Sequence, residues 1–184
     1  YNGETSDLTG PVTFEVKALN NTVLPAEDRE AKVEFQREVA EFSRRVQGTQ
    51  QLMREMRNRM RHIKEAINRV EEPVDGLMAD YYALDAAMDD VSRALNGDNM
   101  KTRLDIDQPP SPAGRLGWIN YEQKYSTSSP TGTHKMSLAI AKEEFEPILD
   151  IIRKLATEDL EALEQKLEDA DAPYTPGRAL KMID

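Results

Sequence analysis

The chain has 184 residues, 39% of them hydrophobic and 32% charged, with a formal net charge of −10 and no cysteine. That length supports one domain with a core of its own. The missing cysteine excludes disulfides, thiolate metal sites and a cysteine nucleophile, and the acidic balance argues against general nucleic-acid binding.

Aromatic residues make up only 6% of the chain, which suits solvated helices better than a β-sandwich. No apolar run approaches the ~18–20 residues that cross a bilayer, and no signal peptide stands at the start. Residue 1 is Tyr, so the expectation is a processed or truncated chain.

Residues 1–24 differ from the rest. Val12, Phe14 and Val16 alternate with Thr13, Glu15 and Lys17 after a Gly10-Pro11 turn. That is a strand signal. A lone strand leaves its backbone groups unpaired. It pairs with residues 1–8 as a hairpin, docks on the remainder, or is the last strand of an upstream β domain; the last is favoured. Asn20-Asn21-Thr22 matches a glycosylation sequon, a weak three-residue signal.

The densest pattern follows. Phe35, Val39, Phe42, Val46, Thr49, Met53, Met56, Met60, Ile63, Ile67 and Val70 are spaced 4, 3, 4, 3, with mostly charged residues between them. They predict one long helix over about 26–71, started near Pro25 to Asp28 and stopped before Pro73. Gly48 reads as a glycine at which another element packs closely, with a hinge or polar pocket as the alternative. Thr49 is the polar member of the seam.

A second helix over 74–96 has the seam Val74, Leu77, Tyr81, Leu84, Met88, Val91 and Leu95, closed by Asn96-Gly97. Residues 98–111 lack periodicity and read as a loop. Ser111-Pro112 caps a short helix over 112–124, with Leu116, Ile119 and Trp118 as inward candidates. A Ser/Thr/Pro/Gly connection leads to a helix over 133–170. Its seam of Leu138, Phe145, Ile148, Ile152 and Leu155 shifts to Leu160, Leu163 and Leu167, a stutter that rotates the apolar stripe. Pro147 removes a backbone donor and is expected to bend this helix. Residues 173–184 read as an extended tail.

These lengths predict an all-α, elongated antiparallel bundle of three to four helices with heptad packing, plus the N-terminal orphan strand or hairpin. The domain reading is an upstream β end at 1–24, a bundle at 25–172 and a tail. Long first and last helices flank a middle rod broken in two. Charge selects the pairing. Residues 44–69 carry eight bases and two acids, a balance of +6; residues 71–98 and 142–171 each balance at −7. A basic rod between acidic ones fixes register more than stability.

No motif names a reaction, and no catalytic, cofactor or metal residue is assigned. The basic run Arg54 to Lys64 reads as a face paired within the chain rather than a nucleic-acid patch. Met53, Met56, Met60, Met78 and Met88 read as core filling rather than a partner groove. His62 and His134 lack the Glu-x-x-His context of a di-iron bundle. Asp105 and Asp107 lack the rest of a calcium loop. Glu143, Glu144 and Glu146 read as a charged helix face rather than a glycosidase pair.

Four stretches are more specific: SPAGRLGW (111–118), STSSPTGTH (126–134), EEFEPIL (143–149) and DLEALEQKLEDADAPYTPGR (159–178). Together they resemble the C-terminal helical region of bacterial exported proteins with sortilin-like, Asp-box (BNR) repeat β-propellers, often labelled glycosyl hydrolase-like. TGPVTFEVKALNNTVLPAEDRE (9–30) is similar to the last strand of that family's immunoglobulin-like domain and the run into its first long helix. The chain departs from the family after Arg178, where Ala179-Leu180 stand in place of Pro.

The resemblance implies an exported protein (periplasmic, cell-surface or secreted) whose partners are the upstream propeller and immunoglobulin-like domains, with any propeller chemistry upstream. The function expected is a non-catalytic structural or interaction module, with a protein partner. The alternatives are a hydrolase accessory domain shaping an upstream site, and a ligand-sensing bundle around Gly48-Thr49.

Overall fold

The structure is a computed structural model and describes residues 10–17, 19, 28–71 and 74–178. Helices dominate it: α1 (Arg29–Ile67), α2 (Leu77–Asn96), α3 (Asn99–Arg103), α4 (Pro112–Tyr125), α5 (Gly132–Lys154) and α6 (Leu160–Asp169), with a π-helical turn at Leu155–Asp159 joining the last two.

α1 has 39 residues, which spans about 58 Å at 1.5 Å per residue. Asp28 caps it by accepting from the Ala31 N–H at 2.9 Å. Every seam residue from Phe35 to Ile63 is buried, including Thr49. Burial of each large apolar side chain contributes about 1.5–3 kcal/mol, so the stripe and its partners form one continuous core. The helix stops at Ile67, earlier than the proline alone implied. Ala66 takes the last buried position, and the Asn68 N–H donates to the Lys64 and Ala66 carbonyls. Ile67 and Val70 are only partly buried against the core. Pro73 itself lies outside the described residues.

Side-chain contacts give the direction of each rod. Along α1, Gln50, Arg57 and Lys64 meet Asn96, Asp89 and Tyr81 in turn. The partner number falls as α1 rises, so α2 runs antiparallel. Lys32 and Ser43 meet Ser126 and Asn120, so α4 also runs antiparallel, alongside the first half of α1. Glu38, Arg45 and Arg59 meet Lys142, Glu146 and Glu164, so α5 and α6 run parallel to α1. The middle rod is therefore α2 followed by α4, broken near the middle of α1.

α2 begins at Leu77 rather than Val74, because Gly76 takes φ +83° and ends the turn before the helix. Val74 is half exposed and does not join the seam; Leu77, Tyr81, Leu84, Met88, Val91 and Leu95 are buried. The expected loop after α2 contains the short α3. Asp98 caps it by accepting from the Met100 and Lys101 N–H groups. Gln108 closes the segment by bonding the Asp98 N–H and carbonyl and the Thr102 hydroxyl. Five residues are too few to show a period, so the pattern concealed them.

α5 runs through Pro147 without interruption. The seam shift falls at the π turn. One residue is inserted there, so Leu155 and Leu160, five apart, both reach the core. The tail is not simply extended: Ala172, Thr175 and Arg178 are buried against the bundle. Val12, Phe14 and Val16 are about four-fifths exposed and form no strand among the described residues. Residues 1–8, the sequon at 20–22 and the end of the tail at 179–184 lie outside the described residues.

Candidate functional site

Polar side chains enter the bundle at three levels. At the far end of α1, the Arg59 guanidinium meets Glu164 of α6 through two bonds, Nε to Oε1 at 2.9 Å and Nη2 to Oε2 at 2.5 Å. The Glu164 side chain is 7% exposed and that of Arg59 29%. A forked, charge-assisted pair of this kind gives geometry as well as energy. Arg178, in the tail, lies beside it. Its Nε is 2.9 Å from Glu168 Oε2 and its Nη2 donates to the Ala172 carbonyl at 2.8 Å. Gly177 connects the two arginines. It has φ +94°, and a Cβ there would meet Arg59 Nε at 2.9 Å. A cleft of about 350 Å³ lies over this cluster, lined by Arg59, Glu161, Glu164, Glu168 and Arg178 among others. Its arginines are already engaged with its carboxylates, so the arrangement ties the tail to α1 and α6.

At the opposite end, Thr131 and His134 form a capping box. The Thr131 hydroxyl accepts from the His134 N–H at 3.2 Å, and His134 Nδ1 accepts from the Thr131 N–H at 3.2 Å. Gln123 Nε2 lies 3.3 Å from the same Nδ1. An amide nitrogen only donates, so the ring proton sits on Nε2. The Trp118 ring lies 5.0 Å from the imidazole. His134 is thus a buried joint between α4 and α5. His62 is half buried on α1 and is not drawn into this cluster.

The middle level is where the central rod breaks. Gln50 donates to Asn96 at 2.7 Å there, and Thr49 is the adjacent buried residue. Gly48 is exposed, and a Cβ there would meet nothing within 4 Å. The close packing expected at this glycine is absent. A groove of about 610 Å³ opens at the same level between Arg93, Lys101, Pro109, Pro110, Glu144 and Pro147, beside exposed Met100, Leu104 and Ile106.

The basic run of α1 finds partners within the chain. Arg57 pairs with Asp89 at 2.6 Å, Arg59 with Glu164, and Lys64 sits over the Tyr81 and Tyr82 rings at 5.5 and 5.4 Å. Arg54 and Arg61 bond Gln51 and Asn58 of their own helix. Met53, Met56, Met60 and Met88 are core residues and Met78 packs against them. Asp105 has φ +51° in the turn after α3, and Asp107 is exposed. Glu143, Glu144 and Glu146 are exposed on α5; Glu144 and Glu146 pair with Arg115 and Arg45. No cluster of ligating side chains capable of holding a metal occurs among the described residues.

Burial raises the Tyr81 phenol above its ordinary value of 10.0, with Asp85 and Tyr82 adding to the shift. The hydrogen bond to Asp159 raises Lys154, which lies at the π turn.

Sequence reasoning missed Arg178, Glu164 and Gln123. Each sits in a stretch dominated by charge or polarity, and only contact across the fold distinguishes it. No described helix is long and apolar enough to cross a membrane. Comparison with family models, curated proteins and solved structures finds no match to this chain.

Proposed function

We propose that this chain is a non-catalytic structural or interaction module, C-terminal to β-propeller and immunoglobulin-like domains in an exported protein. The observation that carries the reading is the closure of the α1 seam. From Phe35 to Ala66 its apolar stripe is covered by helices of the same chain. The arginine cluster at one end and the His134 joint at the other tie the remaining segments to that spine. Such a body transmits position: it holds whatever enters at α1 at a fixed distance and angle. The exposed alternation at Val12, Phe14 and Val16 suits an edge that belongs to a preceding β domain. The resemblance of residues 9–30 and 111–178 to exported propeller proteins supports the same context.

The test has two parts. The reading frame upstream of Tyr1 should encode a β-propeller. The purified chain should leave a panel of glycosides and peptides unhydrolysed; turnover above background would overturn the non-catalytic reading.

A second reading, an accessory domain that shapes an upstream hydrolase site, is favoured by the exposed Met100, Leu104 and Ile106 around α3. Replacing residues 99–107 by a short Gly-Ser linker in the full-length protein should alter its kinetics under that reading. Unchanged kinetics would sink it.

A further inference from the structure

α4 is apolar on two sides. Its inner side buries Pro112, Leu116, Ile119 and Gln123. Residues at helical spacing on the opposite pole are Gly114, Gly117, Trp118, Tyr121 and Tyr125. Trp118, Tyr121 and Tyr125 are 41%, 63% and 69% exposed. The chain has one Trp and six Tyr in all, so this single helix turns a large share of its aromatic surface outward. The rings are organised: Tyr121 and Tyr125 lie 4.9 Å apart, and Lys124 Nζ sits 5.3 Å from the Tyr125 ring.

We propose that this outer face is a homodimer interface, in which α4 packs antiparallel on α4 of a second copy. The argument is self-complementarity, which a two-fold interface requires. When two α4 helices lie antiparallel about a centre near residue 119, Gly117 faces the partner's Tyr121. In the same register, to within one residue or ~1.5 Å of rise, Gly114 faces the partner's Tyr125. At Gly117 a large ring thus meets flat backbone, while at Gly114 it meets Ser111, whose Oγ lies 3.2 Å from where a Cβ would stand. A Cβ at Gly117 would meet nothing within 4 Å in the chain's own fold, so the space above it is open to a ring. Tyr and Trp are also the side chains that dominate protein interfaces.

The area sets the strength. Aromatic residues bury ~150–250 Å² each. At the exposures above, the three rings supply on the order of 350 Å² per copy and about 700 Å² per pair. That sum lies below the ~1,000 Å² that a specific, stable interface clears and in the range of weak, transient ones. The dimer is therefore weak and concentration-dependent.

Sedimentation equilibrium of the whole chain over a concentration series tests this. The wild type should move from monomer to dimer as concentration rises. Tyr121→Ser and Gly117→Glu should each weaken association about tenfold or more. The double variant G117E/Y121K, which places opposite charges across the two-fold, should restore it. Circular dichroism controls for folding, and Gly117→Glu meets no steric conflict within the chain. A wild type that stays monomeric throughout overturns the proposal and assigns the face to another occupant. A dimer that persists unchanged in both single variants overturns it equally.

Discussion

Replacing Arg59 by Met tests whether the tail cluster holds the far end of the bundle. The substitution keeps the aliphatic stem and removes the fork that satisfies Glu164. The Glu164 side chain is 7% exposed, so its carboxylate is left with little solvent to replace the guanidinium. Removing one partner of a buried pair costs about 3–5 kcal/mol. Arg59 is 29% exposed, and the gap it leaves admits some water, so the expected loss is about 2–3 kcal/mol. For a chain of this size that corresponds to a fall of roughly 4–12 °C in Tm. The 3.5 Å approach of Arg59 Nη2 to the Gly177 carbonyl adds little. Arg57 is the internal control: its pair with Asp89 is 40% and 50% exposed, and Arg57→Met should cost about 1 kcal/mol or less. The double variant R59M/E164L removes both charges and should recover to within about 1 kcal/mol of wild type. Urea unfolding followed by circular dichroism supplies the numbers, and the cycle supplies the coupling. Equal losses for Arg59→Met and Arg57→Met would refute the assignment of Arg59–Glu164 as the structural tie.

Gly48→Ala should stabilise by about 0.5–1 kcal/mol, since the site is helical with open space around it, whereas Gly177→Ala should destabilise by about 1–2 kcal/mol because of its positive φ and the nearby Arg59; urea midpoints should move in opposite directions. The raised Tyr81 phenol holds its proton in the fold at a pH where the unfolded chain has lost it, so its stabilisation is complete below about pH 10 and is lost as pH rises through the folded value. Tyr81→Phe should flatten the alkaline fall in Tm, and an unchanged fall would refute this. Deleting Thr157 should turn the π turn into α-helix and keep Leu155 and the residues from Leu160 onward on one stripe, with helical content and cooperative unfolding preserved; a chain that unfolds or loses cooperativity would show that the extra residue is needed.

The long periodic stretches were legible because the core of this fold is written in repeats. Nine consecutive seam residues of α1 and six of α2 are buried as spaced. The stutter after Leu155 was also readable, as a change in spacing, and the structure realises it as one inserted residue. What escaped were ends and single residues. Helix ends depend on local turn geometry, such as φ +83° at Gly76 and the carbonyls bonded by the Asn68 N–H. Gly48 looked like a packing glycine because a seam residue adjoins it, yet its own position faces solvent. The arginine–glutamate cluster was invisible for a plainer reason. Arg59 and Glu164 stand 105 residues apart, and nothing distinguishes either from the charged residues around it.

The positions of the polar insertions suggest why the chain tolerates their cost. A continuous 3-4 seam is degenerate: sliding one rod past another by a heptad preserves apolar contact. Three features remove that freedom. The Arg59–Glu164 fork locks α6 against α1 at one level, and Gln50–Asn96 marks the level where α2 ends. The Thr131–His134–Gln123 joint locks α4 to α5 at the other end. Shifting α4, α5 or α6 by one heptad, about 10 Å, would break the fork or the joint and bury an unpaired polar group at about 1–3 kcal/mol or more, whereas the exposed Gln50–Asn96 pair carries no such penalty. The heptads supply the stability of this bundle, and the Arg59–Glu164 fork and the Thr131–His134 capping box favour the register that pairs them.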